Sequence, residues 1–412
     1  MSVYGDKLNP YRAIRKPLGV KGNRTSIVVT NNPSTIDEKQ LLTVRFPNLG
    51  EDDVIVPCTT RLAFNIELEA TDKNRTIVKN LGRAIVKKIS IKLDGNEVSC
   101  IDDADIFYVY KDLWLPVKER ENSHYQGIQN TNTAALRIKS DAGTKTKQPD
   151  ASLAHAYGNR FYVPLEHELI THHMPFSQSG LADRLSFELT FNDYSRVIQS
   201  NNGIGTYKIS NISLEYDIVT HPELARLIRQ QYQQQLIIMY SRVLRQRKMV
   251  CNKSDAVWNI NLNTPAKSMT GILLLFEDVN ASQAYQRNTE QFYNPKIKKV
   301  SITIEGKPNQ IYASGLLPHQ HWDEIVKFFG NPTSYVDQTN YFQAYYGLWL
   351  DFRTSDDNSL HGSGRRIENA SEGVTLQIEK DVEDAGSMNC YIYLVMDAQL
   401  NISGGRFISA IY

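Results

Sequence analysis

The chain has 412 residues, more than one ordinary domain uses and enough for two of about 200. Hydrophobic residues at 41% and charged residues at 22% exclude disorder along its whole length, while a net charge of +1 singles out no class of partner. Cys58, Cys100, Cys251 and Cys390 stand far apart with no CxxC pair, which excludes a zinc ribbon and a dense disulfide framework and fits folding in a reducing compartment.

In chain order, residues 1–24 form a basic arm, with Lys7, Arg12, Arg15, Lys16, Lys21 and Arg24 against Asp6. Strands are predicted at residues 26–30, 41–46 and 61–68, short runs rich in β-branched and aromatic side chains between Pro, Asn, Asp and Gly clusters. A helix is predicted at 103–115. Residues 116–160 are polar and aperiodic, a stretch long enough to be functional and expected on an outer face. Residues 185–191 and 212–219 alternate apolar and polar, as half-buried strands do. A second helix is predicted at 222–235, with Thr220 as its N-cap and Pro222 and Glu223 in its first turn. A third follows at 318–329, and a further alternating strand at 374–379. The apolar runs at 236–239 and 271–276 are far shorter than the ~20 residues that span a bilayer, so no membrane span is expected.

The most informative feature is an internal repeat. Residues 87–95, KKISIKLDG, return as residues 298–306, KKVSITIEG. Each copy ends in an acidic-glycine turn, and each is followed by a helical segment carrying aromatics: Phe107, Tyr108, Tyr110 and Trp114, then Trp322, Phe328 and Phe329. The same displacement lays residues 62–64 over 273–275 and 26–28 over 237–239. Further on, with different loop lengths, 162–165 answers 348–351 and 185–190 answers 374–379. A period near 200 residues is far too long for a solenoid and indicates two homologous domains. The expected fold is all-β: two tandem eight-stranded antiparallel jelly rolls with short inserted helices. The expected division is an arm at 1–24, a first jelly roll at 25–219, a helical linker at 220–235 and a second jelly roll at 236–412.

Two jelly rolls in one chain of this size, with a basic leader and no enzyme motif, resemble the double jelly-roll major capsid proteins of double-stranded DNA viruses. The KKISIKLDG segment and the aromatic helix after it look most like the Polinton/Maverick and adintovirus type, related to virophage capsid proteins and adenovirus hexon. The resemblance implies a homotrimer of pseudo-sixfold outline, which tiles an icosahedral shell in the virion beside a separate single jelly-roll penton protein. It implies neither cofactor nor catalysis. Two other classes stay open: a twin β-sandwich adhesion or scaffold protein, and a jelly-roll carbohydrate-active enzyme.

Charge is segregated in a way that bears on this. Residues 221–253 carry Arg226, Arg229, Arg242, Arg245, Arg247, Lys248 and Lys253 against Glu223, so both barrels follow basic segments and the remainder is net acidic. Both segments are expected at one end of the molecule, facing either packaged DNA, through sequence-independent phosphate contacts, or neighbouring subunits. Tyr341, Phe342, Tyr345, Tyr346 and Trp349 form the densest aromatic patch, split between core packing and subunit contact. Candidates for chemistry are thin. His172-His173, with His155 and His167, and His319 with His321 lack a convergent ligand set, so no metal is expected. The acidic pairs Asp52-Asp53, Asp102-Asp103 and Asp356-Asp357 sit beside turn residues, as caps do. Gly362-Ser-Gly-Arg-Arg has the composition of a phosphate nest without the flanking strand and helix.

Overall fold

The structure is a computed structural model. It describes residues 23–30, 33, 35–46, 48–56, 58–69, 75–123, 126–128, 139–140, 160–165, 167, 185–199, 206–279, 288–330, 333–355, 362–368 and 373–412. In the first half, one sheet runs in the order β1 (Asn23–Thr30), β13 (Thr206–Thr220), β5 (Arg61–Glu69), β10 (Arg160–Pro164), with β2 (Thr35–Asp37) and β4 (Asp53–Ile55) also paired to β13. The facing sheet runs β3 (Leu41–Arg45), β11 (Leu185–Phe191), β7 (Val86–Leu93), β8 (Asn96–Asp102). A small side sheet joins β6 (Arg75–Ile77), β9 (Lys139–Ser140) and β12 (Ile198–Gln199).

The second half repeats this plan. Its sheets are β14 (Leu236–Arg245), β23 (Ser387–Ser403), β17 (Ala266–Asp278), β20 (Gly347–Asp351) and β16 (Val257–Leu262), β22 (Val374–Lys380), β18 (Ile297–Ile304), β19 (Lys307–Pro308). β15 (Met249–Asn252) and β24 (Arg406–Ile411) extend β23, and β21 (Arg365–Ile367) extends β17. Four strands per sheet in the same sequential order, all paired antiparallel, make each half an eight-stranded jelly roll. The aligned segments occupy equivalent places: β7 and β18, β11 and β22, β10 and β20. The repeated turn is equivalent too, with Asp94 and Gly95 at φ 48° and 80° and Glu305 and Gly306 at 50° and 75°. Positive φ at both central residues is the hairpin turn that acidic-glycine pairs favour. A Cβ on Gly95 would meet nothing within 4 Å. Gly95→Ala should therefore cost only the backbone penalty, about 1 kcal/mol, read as a small drop in the urea midpoint.

β11 and β22 alternate buried and partly exposed side chains, as their sequences do. β23 departs from alternation, being buried from Met388 through Met396, because the first barrel covers its outer face. The long helices form at Ala104–Leu113, Pro222–Gln233 and Pro318–Phe329. Among the described residues, four short helices add to those expected from sequence: Leu81–Ala84, Val117–Asn122, Tyr194–Val197 and Gln338–Ala344. The cap of the second long helix is His221, one residue past Thr220: its Nδ1 accepts from Leu224 N at 3.2 Å, while the Thr220 hydroxyl donates to Asp53 at 2.6 Å. None of the described helices is long and apolar enough to cross a membrane.

Strand registers define the ends of the barrels. Asn23 pairs with Thr220 and Leu236 with Ile402, so the chain enters both barrels beside the Pro222–Gln233 helix. The turns after β16, β18 and β20 lie at this same linker end of the second barrel, because Ala266 pairs with Ile367 and Ile304 with Val374.

Candidate functional site

The aromatic helices of the two copies meet. Ala104–Leu113 leaves the end of β8 and packs against β23 and against Pro318–Phe329, its counterpart in the other barrel. Tyr110 lies 5.0 Å from Phe292 and 5.7 Å from Phe329 between ring centroids, both edge-on, and Trp114 lies 5.9 Å from Trp322. Phe107 touches Tyr393 at 5.2 Å. Edge-to-face pairs at such spacing add to area burial. Gly347 makes room for this seam, since a Cβ there would sit 2.5 Å from the Tyr110 hydroxyl. Gly347→Ala should cost about 1–3 kcal/mol through overpacking, seen as a lowered thermal midpoint with the sheet spectrum retained.

Polar ties cross the same seam. Tyr240 Oη donates to Val98 O at 2.8 Å, and Tyr393 Oη donates to Asp103 O at 2.8 Å. Arg196 of the first barrel bonds Tyr391 Oη at 2.7 Å and pairs with Glu277 at 3.3 Å in the second, and also pairs with Asp105 of its own barrel at 3.4 Å. Arg120 pairs with Glu290 at 2.8 Å, both nearly sealed from solvent. Behind Arg120, Asp112 accepts from Arg83 Nε, Asn80 Nδ2 and Gln126 Nε2 at 3.1, 3.0 and 2.6 Å. The buried apolar side chains of both barrels form one continuous cluster. The two barrels therefore share one buried apolar core across the seam.

The sequence-predicted residues divide. Lys7, Arg12, Arg15, Lys16 and Lys21 lie outside the described residues, and Arg24 lies in β1 at the linker end, paired in register with Val219. Of the second basic segment, Arg226 and Arg229 lie on the Pro222–Gln233 helix at the linker end, whereas Arg242, Arg245, Arg247 and Lys248 lie farther along the second barrel. Residues 236–245 form the first strand of the second barrel, about 30 Å long, which carries Arg245, Arg247 and Lys248 away from the linker end to the middle of β23, where Arg245 pairs in register with Tyr393. There Arg245 pairs with Asp103 across the seam, and Arg247 and Lys248 are exposed. Arg242 stacks 3.7 Å over the ring of Tyr412.

Tyr341, Tyr346 and Trp349 are 0–1% exposed within the single chain, so as subunit-contact candidates they are corrected to core. Phe328 stacks on Trp349 at 3.9 Å and closes the pocket that would otherwise have left it on the surface. Phe342 and Tyr345 keep partial exposure.

The candidates for chemistry are engaged structurally. Asp103 and Asp53 hold the contacts above. Gly362 N donates to Asp397 at 2.7 Å, so a carboxylate of the chain already occupies the glycine-rich loop. His319 is exposed while His321 is buried, its Nδ1 3.0 Å from Tyr346 Oη; burial, then His319, pushes its pKa down to about 4. Burial pushes the Cys251 thiol up to about 11 and Cys390 well above the usual range, so neither supplies a thiolate. Lys380, also lowered by burial, is tied to the carbonyl oxygens of Lys253, Asp255 and Asp381. No cluster of metal-ligating side chains occurs among the described residues. His155, His172, His173, Asp356, Asp357 and most of 116–160 lie outside them.

Neither protein-family models nor curated proteins match the chain in sequence. Solved structures do match it in fold. A PBCV-1 virus capsid structure superposes with a TM-score of 0.63 at 13% identity, covering 96% of this chain and 98% of that one. The Faustovirus major capsid protein gives 0.62 at 10% identity, covering 94% and 92%. The chain has the double jelly-roll fold. The mavirus major capsid protein matches at 0.52 and 10% identity, covering 100% of this chain and 95% of that one. The alignments run over nearly the whole of both chains, so the likeness is to the two-barrel fold and not to one barrel alone.

Proposed function

We propose that this protein is a major capsid protein of an icosahedral double-stranded DNA virus, of the Polinton/Maverick–adintovirus type, with no catalytic role. The supporting observation is the seam: two barrels of one topology, locked side by side by a buried aromatic and ionic interface. A joined pair of equivalent walls serves a tile, because three copies close into a ring with six similar faces and no open end. Residues 25–219 and 236–412 supply the walls, 220–235 the joint, and 1–24 an arm leaving at the linker end. In the shell the trimers contact one another and a single jelly-roll penton protein. The basic arm faces packaged DNA or the adjoining tile, and Phe342 and Tyr345, still partly exposed, remain candidates for chain-to-chain contact.

Light scattering on the purified chain, followed by electron microscopy, tests this. A stable trimer with a hexagonal outline, assembling into sheets or shells, is expected. A stable monomer would overturn the proposal, and sugar hydrolysis by that monomer would favour the enzyme class instead.

A further inference from the structure

We propose that the linker end of the second barrel carries a binding site for one oxyanion of the phosphate class. A cavity of about 450 Å³ opens there, between the β18–β19 turn and the chain after β20. Its apolar wall includes Ile304 and Phe352; its polar wall includes Lys307, Asn309, Arg353 and Arg365.

Asn309 gives the first reason to expect a ligand. It is 8% exposed, and its Oδ1 accepts from Ile311 N at 2.9 Å, which fixes the amide orientation. The Nδ2 group is then left buried with no hydrogen-bond partner among the described residues. Folded chains rarely keep such a donor unpaired, and Asn309 is part of this cavity's lining. The second reason is charge. Asp351 forks the Arg353 guanidinium, with Nε–Oδ1 at 2.9 Å and Nη2–Oδ2 at 2.5 Å, so that pair adds no net charge. Lys307 and Arg365 are exposed on the lining, and neither has an ion-pair partner among the described residues. Two uncompensated cations and one amide donor suit a compact anion with several acceptor oxygens, and they repel a metal ion. The bidentate geometry available to Arg365 favours phosphate over a halide.

The site does not depend on the capsid reading, but it lies at the end from which the basic arm departs. Its phosphate could come from free phosphate or from a nucleic-acid backbone. Calorimetry of the full chain with inorganic phosphate, at ionic strength held constant with chloride, distinguishes site from chance. Saturable binding at one per chain is expected, weakened at least tenfold by the Lys307→Ala/Arg365→Ala double substitution. Asn309→Asp, which keeps the acceptor for Ile311 N and replaces the donor with a negative charge, should abolish binding. Because Lys307 and Arg365 are exposed, the double variant should melt where the parent does. No saturable binding by the parent, or equal affinity in all three proteins, overturns the site.

A second arm uses a short DNA duplex. If the double variant lowers the salt slope of duplex binding by about one, the phosphate belongs to nucleic acid; if the slope is unchanged while phosphate binding is lost, the ligand is free phosphate. Light scattering on the same samples separates the proposals: a monomer that binds phosphate keeps the site and sinks the capsid, and a trimer that does not bind it sinks the site.

Discussion

Asp112→Ala should lower the stability of the folded chain by about 3–5 kcal/mol, measured by urea unfolding with circular dichroism. Asp112 lies 2% exposed on the inter-barrel helix and receives three side-chain donors, of which the Arg83 guanidinium is 6% exposed. Removing the carboxylate takes three buried contacts away at once and leaves the Arg83 guanidinium only its other contacts, among them Pro164 O and the ring of Tyr108. The energy at stake is the loss of the carboxylate from a buried charged network, and truncating one member of such a network costs far more than the net worth of one pair. Asp112→Asn keeps acceptor oxygen and shape and should lose about half as much. The backbone carbonyl of Asp112 also accepts from Arg120 at 2.7 Å, and Arg120 reaches Glu290 in the second barrel. The unfolding transition should therefore stay cooperative for both barrels in the parent and broaden in Asp112→Ala as the seam loosens. Equal midpoints for parent and variant would show that water reaches and solvates Arg83.

What could be read from residues alone follows interaction range. β11 and β22 were legible because alternation reports one buried face locally, and the Pro318–Phe329 helix because proline at its first turn and period-3.6 aromatics are local signals. The duplicated hairpin was legible because its turn demands positive φ at an acidic-glycine pair. Four-residue helices such as Leu81–Ala84 and Tyr194–Val197 complete barely one turn, so no period exists to detect. The β24 hairpin carries a local signal too, Gly404-Gly405 at φ 61° and 73° between two apolar runs.

The seam was not legible. Asp112 finds Arg83 and Asn80 across 29 and 32 residues, and Arg120 finds Glu290 across 170. Nothing local marks these charges as internal. The aromatic patch misled for the same reason. Dense Tyr and Trp announce burial without saying whether a neighbouring element or a neighbouring chain provides it. Here Phe328 and Tyr110, distant in sequence, cover Trp349 and Gly347. The basic run at 242–248 is a different case: composition locates a charged segment, but only the strand's length and direction place it beside the middle of β23.

Lowering the pH from 6.5 to 4 should remove about 3 kcal/mol of stability through His321 alone. The imidazole is 1% exposed on the Pro318–Phe329 helix, with Tyr346 Oη at Nδ1. Glu324, one turn on, is already bonded by Tyr312 at 2.8 Å and Lys327 at 2.9 Å. Burial first, and the neighbouring His319 second, hold its pKa near 4, against an ordinary value of 6.5. Between those values the unfolded chain binds a proton that the folded chain refuses. Stability is therefore complete above pH 6.5, declines as the pH falls, and reaches its full loss once the pH passes below 4. Carboxylates titrate in the same range, so the measurement must be differential. His321→Gln retains a partner for Tyr346 and cannot titrate. The stability gap between parent and variant should shift by about 3 kcal/mol in the variant's favour between pH 7 and pH 4, and a gap independent of pH would mean that the ring is protonated where it stands. Because this helix forms one wall of the seam, protonation loads its cost onto the joint between the barrels. Acid should therefore loosen the pairing of the two barrels before either sandwich opens.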